Sequence, residues 1–148
     1  SHAVTKIDFY ITGSKNPEEH LAFACRLVEK AWRRKHDIFL LTADAPTSAA
    51  MDEMLWSFKP NSFLPHNIVG DTDGNRDTPA PSVEIGHDEE CGDHHDVLIH
   101  LGHNTPARFS RFQRLAEIVA GDDKSLEKSR ERYRFYKDRG YPLQVHNL

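Results

Sequence analysis

Residues Lys6–Thr42, KIDFYITGSKNPEEHLAFACRLVEKAWRRKHDIFLLT, decide the fold. Lys6–Ile11 is a short apolar run rich in β-formers that ends before Gly13, a turn residue, and it predicts a strand. Asn16 is a natural helix cap, Pro17 sits where a first-turn proline is tolerated, and Glu18 and Glu19 suit the positive end of a helix dipole. Leu21, Ala24, Cys25, Val28, Ala31 and Trp32 then keep a helical spacing up to the basic turn Arg33, Arg34 and Lys35. Ile38–Thr42 shows no alternation and is too short for a buried helix, so it predicts a strand covered on both faces. Strand, helix and strand within these 37 residues imply a right-handed βαβ unit.

Outward from that unit the same grammar continues. Asp44–Thr47 reads as a turn around Pro46, followed by a helix over Ala49–Ser57 with Met51, Met54 and Leu55 inward. Pro60, Ser62 and Pro65 then break any helix and leave Phe63 and Leu64 extended. Asp71–Pro81 is a Gly, Asp and Pro-rich loop, Val83–Ile85 a short strand, His87–Asp96 a polar loop, and Val97–Leu101 a buried strand. Pro106–Ala120 reads as a helix with Phe109, Phe112, Leu115, Ala116 and Val119 inward, ended by Gly121 and Asp122. A basic helix over Ser125–Tyr141 closes the series, with Gly140 at its end before Pro142. Apolar strands separated by helices predict a three-layer α/β/α domain over residues 3–148, with a largely parallel sheet and room for an antiparallel edge. Ser1 and His2, which open the chain without Met, are read as a tag remnant.

Composition narrows the function. No apolar run approaches the roughly 18 residues that span a bilayer, no secretory signal is visible, and a cytoplasmic location is expected. Two cysteines, Cys25 and Cys91, make neither a disulfide framework nor a metal knuckle. A net charge of −4 argues against strong direct binding of nucleic acid by the whole surface. The loop HDEECGDHHD (His87–Asp96) holds metal-type ligands without the rigid spacing of a structural zinc site, so no metal is assigned. Neither GxGxxG nor GxxxxGK[ST] occurs, the turn after the first strand is followed by two glutamates that repel phosphate, and no GxSxG elbow is present. Cys25 falls on a buried helical face and reads as a small hydrophobe. No catalytic residue and no cofactor is assigned, although a nucleotide- or metal-dependent α/β enzyme stands as the competing class.

The basic helix is the informative surface. At 100° per residue, Leu126, Arg130, Tyr133 and Lys137 fall within about 60° of one another, with Arg134 at the margin. Between Lys124 and Arg139 seven Lys or Arg face three acids, so the segment carries +4 and the remainder of the chain −8. Charge separated in this way suits an anionic partner. The same pattern also describes a solvated amphipathic helix with its aromatics in the core. A second cluster, Trp56, Phe58, Phe63 and Leu64, surrounds two prolines in DEMLWSFKPNSFLPHN (Asp52–Asn67) and fits a protein-docking surface as well as a core under a loop.

Three blocks together resemble the chi subunit of the bacterial DNA polymerase III holoenzyme: DEMLWSFKPNSFLPHNIVGD (Asp52–Asp71), VEI followed by DVLIHL, and SRERYRFYKDRGYPL (Ser129–Leu143). The resemblance covers nearly the whole chain. It implies a non-catalytic, Rossmann-like α/β domain that acts as an adaptor with two protein-binding surfaces. One would bind the psi subunit of the clamp loader through Trp56, Phe63, Leu64, Pro65 and His66, a surface that a helicase would share. The other would bind the acidic, Phe-ended tail of single-stranded DNA-binding protein through Lys124, Leu126, Lys128, Arg130, Tyr133, Arg134 and Lys137. Such a tail needs cations beside an apolar slot, and Arg forks onto carboxylates. The segment before Ser125, AGDDKS, is shorter than the run usual in the family.

Overall fold

The computed structural model describes residues 4–58, 66–68, 83–87, 96–106 and 108–148. The opening unit forms as its residues dictate. Strand β1 (Lys6–Ile11) leads to helix α1 (Pro17–Arg33), where the Asn16 side chain accepts a hydrogen bond from Glu18 N at 2.9 Å and Pro17 takes the first turn. Strand β2 (Ile38–Leu41) is buried at all four positions. It does not lie beside β1. Among the described residues seven strands form one sheet in the order β3-β4-β2-β5-β6-β1-β7, with β3 at His66–Ile68, β4 at Val83–Gly86, β5 at Val97–His100, β6 at Arg114–Val119 and β7 at Leu143–Asn147. Every ladder is parallel, both edges included, so no antiparallel edge occurs among the described residues.

Two apolar layers hold helices to the sheet. On one side α1 packs over β2, β5 and β6, and helix α2 (Ala45–Phe58) packs beside it. The core there includes Val28, Ile38, Leu40, Met51, Ile85 and Ile99. Helix α3 (Asp123–Asp138) covers the other face, over a core that includes Ile7, Phe9, Phe39, Leu98, Leu115 and Tyr136. Each fully buried aliphatic or aromatic side chain contributes roughly 1.5–3 kcal/mol relative to exposure. Helices α1 and α3 leave the neighbouring strands β1 and β6 toward opposite faces, which makes the carboxyl ends of those two strands the switch point of the topology.

Three expectations are corrected. Residues 106–120 are not a helix: a 3-10 turn over Phe109–Arg111 precedes strand β6. The inward residues were the right ones, since Phe109, Phe112, Leu115, Ala116 and Val119 are all buried. Strand β6 lies between β5 and β1 with both faces covered, so it shows no alternation, and its buried positions fit a helical period equally well. The turn at Asp44–Thr47 is the first turn of α2, because the Asp44 carboxylate accepts from Thr47 N at 2.9 Å and from Thr47 Oγ1 at 2.6 Å, as a cap does. The basic helix spans Asp123–Asp138 rather than Ser125–Tyr141, starting from Asp122, whose carboxylate accepts from Ser125 N at 3.1 Å. Gly140 ends it with φ 81°, donating to Lys137 O at 3.0 Å while Tyr141 N donates to Tyr136 O at 3.2 Å, the paired bonds of a Schellman stop. Strand β7, beyond Pro142, was not anticipated.

Candidate functional site

Helix α3 presents two stripes about 100° apart. The inner stripe is Ser125, Ser129, Arg132 and Tyr136, all buried. It meets Glu117, which faces α3 from the middle of β6 and is fully buried. The Glu117 carboxylate accepts from Arg132 Nε at 3.0 Å, from Tyr136 OH at 2.7 Å and from His100 Nδ1. A carboxylate can only accept, so His100 carries its proton on Nδ1. Arg132 Nη1 also donates to His103 O at 2.5 Å. Burial alone would push the Glu117 carboxyl up, but His100, Arg132 and the Tyr136 hydrogen bond outweigh it and hold the group below its ordinary range. The same contact acts oppositely on Tyr136, whose phenol is raised by burial and by the Glu117 charge. Arg132, counted among the cations of the patch, therefore belongs to the interior.

The outer stripe carries the candidate binding residues. Leu126 and Tyr133 are half-buried against the α3-side core, and the Tyr133 ring lies 5.8 Å from that of Phe9. Arg130, Arg134 and Lys137 are exposed, as is Lys124, two residues before Leu126 and about 160° from it around the helix. None of these four has an ion-pair partner among the described residues, whereas Lys128 lies 3.5 Å from Glu131. The outer face thus offers unpaired cations around a half-covered ring. Strand β7 adds what the sequence reading missed. Leu143 pairs with Ile7 and Val145 with Phe9, so both project on the α3 side, and Val145 is 47% exposed. An apolar shelf therefore adjoins Tyr133. The alternation of Leu143 and Val145 after Pro142 was the available signal.

The second predicted surface is only partly described. Trp56 lies in the last turn of α2 and His66 opens β3, and these two elements pack together at the edge of the sheet farthest from β7. Phe63, Leu64 and Pro65 lie outside the described residues, as do residues 88–95 of the histidine-rich loop and the loop over 71–81.

At the switch point the chains close on each other. A Cβ on Gly121 would stand 2.7 Å from Gly13 C, and Gly121 N donates to Ser14 O at 2.7 Å. The cavity beside it, among His20, His103, Ser125 and Arg132, measures about 10 Å3, room for roughly one water. Cys25 is wholly buried and its thiol is pushed up to about 12 by that burial, as suits a packing residue. No group of three or more His, Cys, Asp or Glu able to hold a metal occurs among the described residues, and none of their helices is long and apolar enough to cross a membrane.

Comparison with known proteins agrees with this architecture. Residues 4–144 match the family model for the DNA polymerase III chi subunit, HolC. The chain is 39% identical over 145 residues to DNA polymerase III subunit chi of Pseudomonas aeruginosa, covering 98% of each chain. It is 28% identical over 125 residues to the Haemophilus influenzae subunit chi, covering 84% of this chain and 85% of that one. With the Escherichia coli subunit chi it shares 29% identity over 122 residues, covering 82% and 80%. The chain belongs to the DNA polymerase III chi family, a family of replication accessory subunits.

Proposed function

We propose that the domain is a non-catalytic adaptor of the replication machinery, holding the acidic tail of single-stranded DNA-binding protein on one edge and the psi subunit of the clamp loader on the other. The outer stripe of α3 carries this reading. Arg130, Arg134 and Lys137 lie exposed and unpaired around half-buried Tyr133 and Leu126, with Val145 beside them, and Lys124 adds an exposed cation in the first turn. A tail of aspartates ending in Phe needs that combination: guanidinium groups fork onto carboxylates while the ring settles on the apolar shelf. Exposed ion pairs are screened, so the affinity is modest and salt-sensitive, which suits a tether that must release. Trp56 and His66, on adjoining elements at the opposite edge, support a separate psi surface there, with a helicase as a competitor. The closed switch point, with its cavity of about 10 Å3, favours an adaptor over a nucleotide-dependent enzyme.

Titration calorimetry with a short acidic peptide ending in Pro-Phe, repeated across salt, tests the tail site. Arg130→Ala or Tyr133→Ala should weaken binding by about 1–3 kcal/mol at low salt, as central interface anchors do. Unchanged binding in the double variant would remove α3 from the site. Trp56→Ala should release psi and leave peptide binding intact.

A further inference from the structure

Among the described residues α1 packs chiefly over β2, β5 and β6, so on that face of the sheet β1 lies at the margin of the helix and β7 beyond it. Ile7 and Phe9 point into the α3-side core, so Lys6, Asp8 and Tyr10 project from the other face, followed on β7 by Gln144 and His146. There Tyr10 and His146 stack with centroids 4.7 Å apart and planes 12° from parallel, and Phe23 of α1 continues the row at 5.5 Å from Tyr10. His146 Nε2 bonds Asp8 Oδ1 at 3.0 Å, which fixes the imidazole at the sheet edge and already partners the nearest carboxylate. The His146 side chain is 38% exposed.

Adjoining this row, the last turns of α1 lean over β5, β6 and β1 and leave a cavity of about 90 Å3. Its floor is apolar, with Leu27, Ala31 and Ile99, and its rim carries Lys30, Arg34 and Arg114. All three cations are exposed, and none has an ion-pair partner among the described residues. Lys6, opposite Arg114 in the β1–β6 register, extends the cationic line along the sheet. Asp8 and Tyr10 line the cavity too, so rings and cations form one continuous surface.

We propose that this open face docks single-stranded nucleic acid, with phosphates against Lys30, Arg34 and Arg114 and a base laid on the Tyr10–His146 stack. Aromatic rings running from the margin of a helix to a sheet edge, flanked by cations that track a backbone, match the two requirements of a sequence-tolerant single-strand surface. An acidic peptide meets the cations but gives the ring stack no planar partner. The contact is small, with few phosphates neutralised, so it is weak and confined to low salt when the domain acts alone. It shares no side chain with the outer stripe of α3.

Fluorescence anisotropy with the full chain and a labelled oligothymidylate of about 15 nucleotides, from about 20 mM salt upward, tests the surface. Binding at the lowest salt should fall about tenfold or more in Lys30→Glu with Arg114→Glu, and Arg34→Glu should weaken it several-fold. His146→Ala should weaken it several-fold while the salt dependence keeps its slope, since the variant removes stacking and no phosphate contact. Arg130→Glu on α3 should leave it unchanged. The proposal is overturned if the full chain fails to bind at the lowest salt or if the folded Lys30 and Arg114 variant binds as well as the parent. It is also overturned if Arg130→Glu loses as much, which marks general charge attraction, or if thymidine monophosphate binds as tightly as the oligomer, which marks a small-anion pocket.

Discussion

On α3, Arg132 stands two residues from Arg130 and Tyr136 three residues from Tyr133, and the two pairs have opposite fates. Arg132 is 3% exposed and Tyr136 is fully buried, whereas Arg130 lies in solvent and Tyr133 is half-covered. Residue type does not distinguish them. The difference is made 15 residues earlier in the chain, where Glu117 places a carboxylate inside the layer that α3 covers. A buried charge that lacks a partner is strongly unfavourable, so the helix turns the side carrying Arg132 and Tyr136 toward Glu117. The outer stripe is then what remains available to a partner.

That contrast breaks most visibly from the inside. Arg132→Ala should lower unfolding stability by about 3 kcal/mol in urea titrations, because the buried Glu117 carboxylate would lose its guanidinium partner and keep only His100 and Tyr136. A loss below about 1 kcal/mol would mean that the network does not set the helix face.

Acid sharpens the same point. The Glu117 pKa is depressed in the folded state, so its contribution is complete above the ordinary glutamate value near 4.3 and is lost as pH falls through the lower folded value. Urea midpoints measured downward from about pH 5 should therefore drop, and Glu117→Gln should flatten that limb while lowering the plateau at neutral pH.

The outer stripe should behave in the reverse sense. Arg130→Lys keeps the charge and loses the fork, and should weaken acidic-peptide binding by about 1 kcal/mol with stability unchanged within about 0.5 kcal/mol. Smallest of all is Lys128→Ala, whose exposed pair with Glu131 should contribute at most about 1 kcal/mol to stability and nothing measurable in high salt.

Much of this was legible from residue order, and the misreadings share a physical cause. The caps of α1, the burial of Ile38–Leu41 and the stop at Gly140 are local matters, decided by neighbouring residues. Strand β6 is not local: its type depends on lying between β5 and β1, and a strand covered on both faces has no period of its own. Glu117 within the apolar run LAEIV was the clue to an interior network, yet one acid does not say which of seven cations will answer it. The apolar shelf beside Tyr133 was hidden for the same reason, since Val145 reaches that place only through its pairing with Phe9.

The strand order has a mechanical corollary. With β3 and β7 at the margins and neighbouring strands about 4.8 Å apart, the two proposed partners would grip the domain about 29 Å from each other. Tension between them would run across every ladder in series, so the weakest link would yield first. Among the described residues the three-residue pairing of β3 with β4 is the shortest of those ladders, which makes that edge of the domain its natural fuse.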